Sequence, residues 1–271
     1  MDWEREREGE REGGSELRKS LPLSLSPSLP LKIVSLVPSQ TELLCDLGLR
    51  DRLVGVTKFC VHPPGLKREK TIVGGTKNVK LEVVAALQPD LIIGNKEEND
   101  KSQIEALASQ FPVWISDIYT LGDALEMIAQ IGALTGTSEA AADLIGRIRS
   151  AFAQLEKKLA GLPRQRAAYF IWRKPYMAVG ADTFIHHMLH LAGFDNVFGH
   201  LSRYPEITPD MLAQAAPQVI LLSSEPYPFK EKHLAELQAI CPDAAIRLVD
   251  GEMFSWYGSR LLPTAEYLGG L

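Results

Sequence analysis

Cysteine is scarce in this chain. Cys45, Cys60 and Cys241 are the only three in 271 residues, too few and too scattered for a disulfide framework or a four-thiolate zinc site, so all are expected to be reduced packing residues. No apolar run is long enough to span a membrane, which argues against membrane insertion. Basic charge is short as well. With 29 Lys and Arg against 34 Asp and Glu, the net charge of −5 gives no basic face for a nucleic acid. Signatures of catalysis are also missing: there is no G-x-S-x-G elbow, and Gly74-Gly75-Thr76-Lys77-Asn78 has neither the G-x-G-x-x-G spacing nor the Gly-Lys-Ser/Thr ending of a phosphate loop. Cys60 and His62 have no third metal ligand nearby. His186 and His190 share a helix face, but no glutamate completes an H-E-x-x-H site, so no metal centre is expected. These absences favour a non-enzymatic protein with no catalytic cofactor.

Residues 1–30 lack the means to build a core. Their first twenty positions are almost wholly charged or Gly, and the next ten alternate leucine with Ser and Pro, so a disordered tail is expected. Acidic residues dominate the start and three prolines break the leucines, unlike a secretory signal. Export is unsupported on that reading, and a cytoplasmic location stands as an alternative.

What is present begins with one long helix. In residues 137–161, Ala141, Leu144, Ile145, Ile148, Ala151, Phe152, Leu155 and Leu159 recur every three or four positions and draw an apolar stripe. Thr137 or Ser138 can cap the start, Gly161 tolerates the left-handed turn past the end, and Pro163 forbids continuation. Strands and helices alternate in a similar order on both sides of it. The best local match sets Leu87-Gln88-Pro89-Asp90-Leu91-Ile92-Ile93 over Ala215-Ala216-Pro217-Gln218-Val219-Ile220-Leu221, an offset of 217 − 89 = 128 residues, long enough to mean a duplicated lobe. The expected organisation is therefore α/β: an N-terminal lobe over residues 31–136, the connecting helix over 137–161 and a C-terminal lobe over 162–271.

Ligands of open α/β sheets gather at strand carboxyl ends, which gives the segments following the strands their interest. Pro38 to Glu42 is expected to turn the first strand into a helix beginning at Leu43, with Ser39 and Thr41 available as caps or ligand contacts. Lys58 to Pro64, Asn95 to Asn99, Trp172 to Tyr176, Ser223 to Phe229 and Glu252 to Gly258 carry aromatic, charged and small residues at other strand ends. Apolar walls with few polar groups suit a large planar ligand.

Lys32-Ile-Val-Ser-Leu-Val-Pro-Ser-x-Thr-Glu-Leu-Leu, Val54-Gly-Val, Pro63-Pro64, Leu81-Glu82, Leu87-x-Pro-Asp-Leu-Ile-Ile, the long helix and Ala192-Gly-Phe-x-Asn-Val-Phe together resemble the helical-backbone substrate-binding proteins of ABC importers, in particular the cobalamin-binding members. That resemblance spans residues 32 to about 268. It implies two Rossmann-like lobes joined by a single backbone helix, a ligand cleft between them and an envelope location. Carried over by local motif, Phe59, Trp172, Tyr204, Glu252, Phe254 and Trp256 are the ligand-contacting residues. Thr76 stands where the family carries tryptophan and Trp256 where it carries arginine, so haem or a ferric siderophore remains open beside a corrinoid. The implied partners are that small molecule and an ABC permease dimer, met by a monomer through one acid per lobe. Glu82 and Asp210 each lie seven residues before the matching prolines (89 − 82 = 7 and 217 − 210 = 7). In a helix's first turn either acid also stabilises the dipole without a partner. A two-lobed α/β enzyme and a cytosolic carrier or sensor are the competing readings.

Overall fold

The computed structural model describes residues 31–271, and the tail expected over residues 1–30 lies outside them. The chain divides into two units: one runs to Asp117 and takes in Met127–Ala141, the other comprises Ile118–Glu126 and Ala142–Leu271. Among the described residues no helix is long and apolar enough to cross a membrane.

In the first unit, β1 (Ile33–Ser35), β2 (Leu53–Val56), β3 (Thr71–Ile72), β4 (Leu91–Asn95) and β5 (Val113–Ser116) form a parallel sheet in the order β3-β2-β1-β4-β5. Inner strands of such a sheet are covered on both faces, and so β1 and β4 are buried at every position. Val34, Leu36, Val73, Val84, Ile92, Ile104 and Leu107 make one core cluster. Strand order reverses between β1 and β4, which places the unit's topological switch point there.

Helices α1 (Pro38–Asp46), α2 (Leu66–Glu69), α3 (Leu81–Leu87), α4 (Lys101–Ala108) and α5 (Leu121–Thr135) precede the long α6 (Ser138–Leu159). The turn expected over Pro38 to Glu42 does not exist as a loop. Helix α1 begins at Pro38 itself, because proline's fixed φ suits the first helical position and its missing N–H would have been unpaired there anyway. No side chain caps that end. Ser39 and Thr41 are buried inside the helix, and the Thr41 hydroxyl bonds back to the Val37 carbonyl at 2.9 Å and the Ser35 hydroxyl at 2.7 Å.

The 22 residues of α6 bury Ala141, Leu144, Ile148, Phe152 and Leu155, the stripe its spacing predicts, and expose the opposite side. Gly161 lies past its end at φ +78°, a backbone that L side chains rarely adopt.

In the second unit, β6 (Gln165–Trp172) is the central strand. It pairs in parallel with β9 (Val219–Ser223), which in turn pairs with β10 (Ala245–Val249). Its other side takes β8 (Phe194–Asn196) in parallel along the first half and β7 (Met177–Ala178) antiparallel along the second. Helices α7 (Phe184–Leu191), α8 (Pro209–Ala215), α9 (Leu234–Ile240), α10 (Glu252–Ser255) and α11 (Leu261–Leu268) complete it. Ala168, Phe170, Phe198, Leu212, Ile220, Leu222 and Leu237 share its core.

The internal match extends to backbone detail. Both α3 and α8 have seven residues, starting 209 − 81 = 128 apart, and both end on a left-handed residue, Gln88 (φ 49°) and Ala216 (φ 42°). A proline follows each, and then a fully buried five-residue strand, β4 or β9, again 219 − 91 = 128 apart. Proline cannot continue a helix, so a left-handed residue before the Pro-strand segment ends both helices in one way.

Candidate functional site

In the first unit, the segments leaving the strands are tied together by side chains on β4 and its following turn. Asn99 is buried to 1% exposure, and its amide donates to the Leu36 carbonyl at 3.3 Å and the Thr76 carbonyl at 3.0 Å while its oxygen accepts from the Asn95 N–H at 2.8 Å. One side chain thus links the ends of β1, β4 and the Gly-rich loop. Asn95 donates to the Ser116 hydroxyl at 3.0 Å, and Gln40 reaches the same hydroxyl at 2.6 Å. This polar seam fixes the sheet's carboxyl edge around the switch point.

Phe59 stands on that edge with 48% of its surface exposed. A Cβ on Gly75 would come within 3.3 Å of its ring, so the glycine lets the ring lie against the Gly-rich loop, and the Lys58 ammonium sits 4.9 Å from the ring centroid. Val61 is exposed beside it in sequence. Cys60 points inward instead. It is wholly buried, its sulfur lies 3.1 Å from the Thr41 hydroxyl and 3.3 Å from that of Thr57, and burial raises its pKa. That keeps it a neutral thiol, as its expected packing role requires.

In the second unit, Trp172 ends β6 with 40% exposure and packs edge-on against Tyr227 at 5.7 Å. Arg173 forms a paired contact with the Glu236 carboxylate, which also accepts from the Tyr176 hydroxyl at 2.8 Å. Those bonds, the arginine's first, hold the Glu236 pKa down at about 2. Tyr204 is half-buried with the Arg203 guanidinium 5.4 Å from its ring. His233 is buried against Tyr227 and Phe229, and its Nδ1 accepts from the Lys230 N–H at 2.9 Å. Burial lowers its pKa, in keeping with a ring nitrogen that accepts.

The segment after β10 is organised differently from its sequence reading. Phe254 has no exposed surface and packs between Tyr169 at 4.9 Å and Tyr267 at 6.4 Å. Trp256 is only 7% exposed; its indole N–H donates to Glu225 at 3.0 Å and the Arg260 guanidinium lies 5.1 Å from its ring. Glu252 pairs with Arg260 at 3.2 Å, with both side chains mostly covered. Phe59 and Trp172 are thus the exposed rings of the six residues singled out, Tyr204 and Glu252 are partly covered, and Phe254 and Trp256 face inward.

Glu225, Arg260 and Asn99 do not stand out individually in the sequence. Glu225 follows the buried strand β9, and its Oε1 accepts from the Ser255 hydroxyl at 2.7 Å as well as from Trp256. Burial, and then the charges of Glu252 and Asp250, raise its pKa against the pull of those two bonds. The signal available for Glu225 is its position, a polar residue just past an apolar strand in the segment over residues 223–229.

His186 and His190 do not converge. The Nδ1 of His186 meets the Asn196 amide at 3.1 Å, whereas that of His190 meets Arg164 at 3.0 Å. Among the described residues no group of three His, Cys, Asp or Glu stands close enough to hold a metal ion. Glu82 and Asp210 are both exposed and both occupy the second position of their matching helices.

Comparison with known proteins adds to this geometry. The model of the periplasmic binding protein family matches residues 33–240. A vitamin B12-binding protein of Pectobacterium carotovorum is 25% identical over 248 residues, covering 89% of this chain and 88% of that protein. An ABC transporter substrate-binding lipoprotein of Bacillus subtilis is 28% identical over 200 residues, which cover 71% of this chain but 63% of that relative's length. Among solved structures, the periplasmic vitamin B12 binding protein of Vibrio cholerae aligns with a TM-score of 0.76 at 23% identity, covering 88% of this chain and 95% of that one. The apo periplasmic heme-binding protein of Roseiflexus sp. RS-1 gives the same TM-score at 19% identity, covering 89% and 97%.

Proposed function

This chain belongs to the periplasmic binding protein family, and from that premise we propose that it is a non-enzymatic substrate-binding protein of ABC-importer type whose ligand is a cobalamin-like corrinoid. The observation that carries the reading is the pair of large rings left exposed at strand carboxyl ends, Phe59 in one unit and Trp172 in the other, where the other large aromatics among the described residues are mostly covered. An exposed ring at the edge that binds ligands in α/β sheets offers a flat apolar face to a macrocycle. The B12-binding name of a relative matched along 89% of this chain supports corrin over other flat ligands. We assign its contacts to Phe59 in the first unit and to Trp172, Tyr204 and the partly covered Glu252 in the second, whereas Phe254 and Trp256, expected as contacts, support that edge from within. No step of chemistry is assigned to it.

An optical titration of the purified protein against cyanocobalamin, haemin and a ferric siderophore tests the reading. Saturable binding of cyanocobalamin at one site, tighter than of the other two, is expected. Preference for haemin or the siderophore would replace the corrinoid by the ligand found and leave the binding role in place.

Glu82 and Asp210 are assigned to the permease. Their exposure and their equivalent helix positions give each unit one acid, and one acid per unit can meet one arginine on each of two permease subunits. Glu82→Gln with Asp210→Asn should leave folding and ligand affinity intact while abolishing association with the cognate permease; undiminished association would reject the assignment and leave both acids as helix-start residues.

A further inference from the structure

The Glu225 carboxylate is used on one side only. Its Oε1 receives both the Ser255 hydroxyl and the Trp256 indole N–H, while Oε2 has no hydrogen bond among the described residues and is not sealed away from solvent. A carboxylate oxygen can accept two further N–H or O–H donors and can give none while ionised.

The group is also held in place. The Ser223 hydroxyl donates to the Glu225 carbonyl and accepts from the Glu225 N–H at 3.2 Å, and it accepts in turn from the buried Tyr169 hydroxyl at 3.1 Å. Gly251 leaves room for the side chain: a Cβ there would stand 2.5 Å from the Glu225 Cγ. The Gly251 N–H in turn donates to the Ser224 hydroxyl at 2.9 Å, closing the two segments on each other. A side chain fixed by its own turn and by two donors on one oxygen presents the other oxygen at small entropic cost.

Its electrostatic surroundings select what that oxygen can take. The charges that bear on Glu225 are those of Glu252 and Asp250, both of its own sign. Arg260, the cation of this edge, is engaged by Glu252 and by the face of Trp256. A ligand carboxylate arriving at Oε2 would meet the Glu225 charge with those of Glu252 and Asp250 behind it. An amide N–H would find a charged acceptor, which makes a stronger bond than a neutral one.

We propose that Glu225 is the specificity-determining acceptor of the ligand site, with Oε1 positioning Trp256 and Ser255 and Oε2 accepting an N–H from the ligand, so that the site takes a macrocycle rimmed with primary amides and disfavours one rimmed with carboxylates. This rests on the reading that the ligand is a large ring held at the strand carboxyl ends. The selection extends that reading, because it names the peripheral chemistry by which the protein tells flat ligands apart.

The test uses one ring with two peripheries: a dicyano-corrin carrying amides, and the same corrin with those amides hydrolysed to carboxylates. Both are titrated by absorbance near neutral pH into the parent and into Glu225→Gln. The parent is expected to bind the amide form at least about tenfold more tightly, the worth of one good hydrogen bond to a charged group. Glutamine keeps an oxygen for Trp256 and Ser255 but puts an N–H₂ group where Oε2 stood, so the preference should shrink to about threefold or less. A residue that only held Trp256 in place would weaken both corrins alike and leave the ratio unchanged, and that result overturns the proposal while the binding function stands. If the variant does not fold, the parent still decides: equal affinity for the two corrins is a refutation. If the parent binds neither corrin but saturates with haemin or a ferric siderophore, the corrinoid reading fails and this inference falls with it.

Discussion

Replacing Asn99 separates the two things its side chain does in the first unit, donating to two carbonyls and accepting from one N–H. Asn99→Ala removes all three bonds, to the Leu36 and Thr76 carbonyls and from the Asn95 N–H, in a place that is 1% exposed. At about 1 kcal/mol per net bond, with an added penalty where a buried group finds no water, the loss should be about 2–4 kcal/mol. Asn99→Asp is nearly isosteric and keeps an acceptor for Asn95, but it turns an oxygen toward two carbonyl oxygens. Ionised, it is repelled by both, so its folded-state pKa must rise above the ordinary value of about 3.9. The most the mismatch can cost near pH 7 is the price of carrying the proton there, 1.36 × (7 − 3.9), or about 4 kcal/mol, beyond the one donor lost. The sign follows from linkage. A folded state that binds the proton more tightly than the unfolded chain gains stability as pH falls, so the deficit of Asn99→Asp against the parent should shrink by up to about 1.4 kcal/mol per pH unit between about pH 7 and pH 4, whereas that of Asn99→Ala should stay level. Urea unfolding followed by circular dichroism at several pH values measures both. An aspartate variant as stable as the parent near pH 7, or a deficit that does not change with pH, would refute the assigned hydrogen-bond roles.

Ile148→Pro, at a position with no exposed surface in the middle of α6, should cost about 3 kcal/mol for the broken helix and more for lost packing; a melting temperature equal to the parent's would contradict the buried-stripe account. Phe59→Ala and Trp172→Ala remove exposed rings, so each should leave stability nearly unchanged and weaken corrinoid binding by about 1–3 kcal/mol if the rings stack on it; unchanged affinity in the double variant would remove them from the site. The depressed pKa of Glu236, about 2, makes the Arg173 and Tyr176 contacts a source of stability present above the unfolded glutamate pKa of about 4.3 and lost as pH falls toward 2. Glu236→Gln should flatten that part of the acid unfolding curve by a small amount, because the pair is partly exposed, and a curve identical to the parent's would show the contact to be inert in solution.

Much of the architecture was legible because it is written in local periodicity. The stripe from Ala141 to Leu155 specifies a helix before any partner is known, and short apolar runs rich in β-branched residues, such as Leu91-Ile92-Ile93, specify buried strands. The 128-residue offset likewise aligned α3 with α8, because a helix stop followed by proline is itself a short-range signal, while the left-handed residue that ends each helix showed only in the backbone. The resemblance of whole segments pointed to the family that the match over residues 33–240 shows. Tertiary structure decided the rest. Phe59, Trp172, Phe254 and Trp256 are equivalent in the sequence as aromatics after strands, and only packing left the first two open while closing the others onto Tyr169, Tyr267, Glu225 and Arg260. The start of α1 at Pro38 also escaped a residue-by-residue reading, since Ser39 and Thr41 look like caps until their burial is known. Asn99 and Glu225 matter through atoms 63 and 31 residues away, on Leu36 and Trp256. Period and propensity act over a few residues, whereas burial and hydrogen-bond partnership depend on which distant segments the sheets bring together, so a chain announces its strands and helices before it shows which side chains remain open to a ligand.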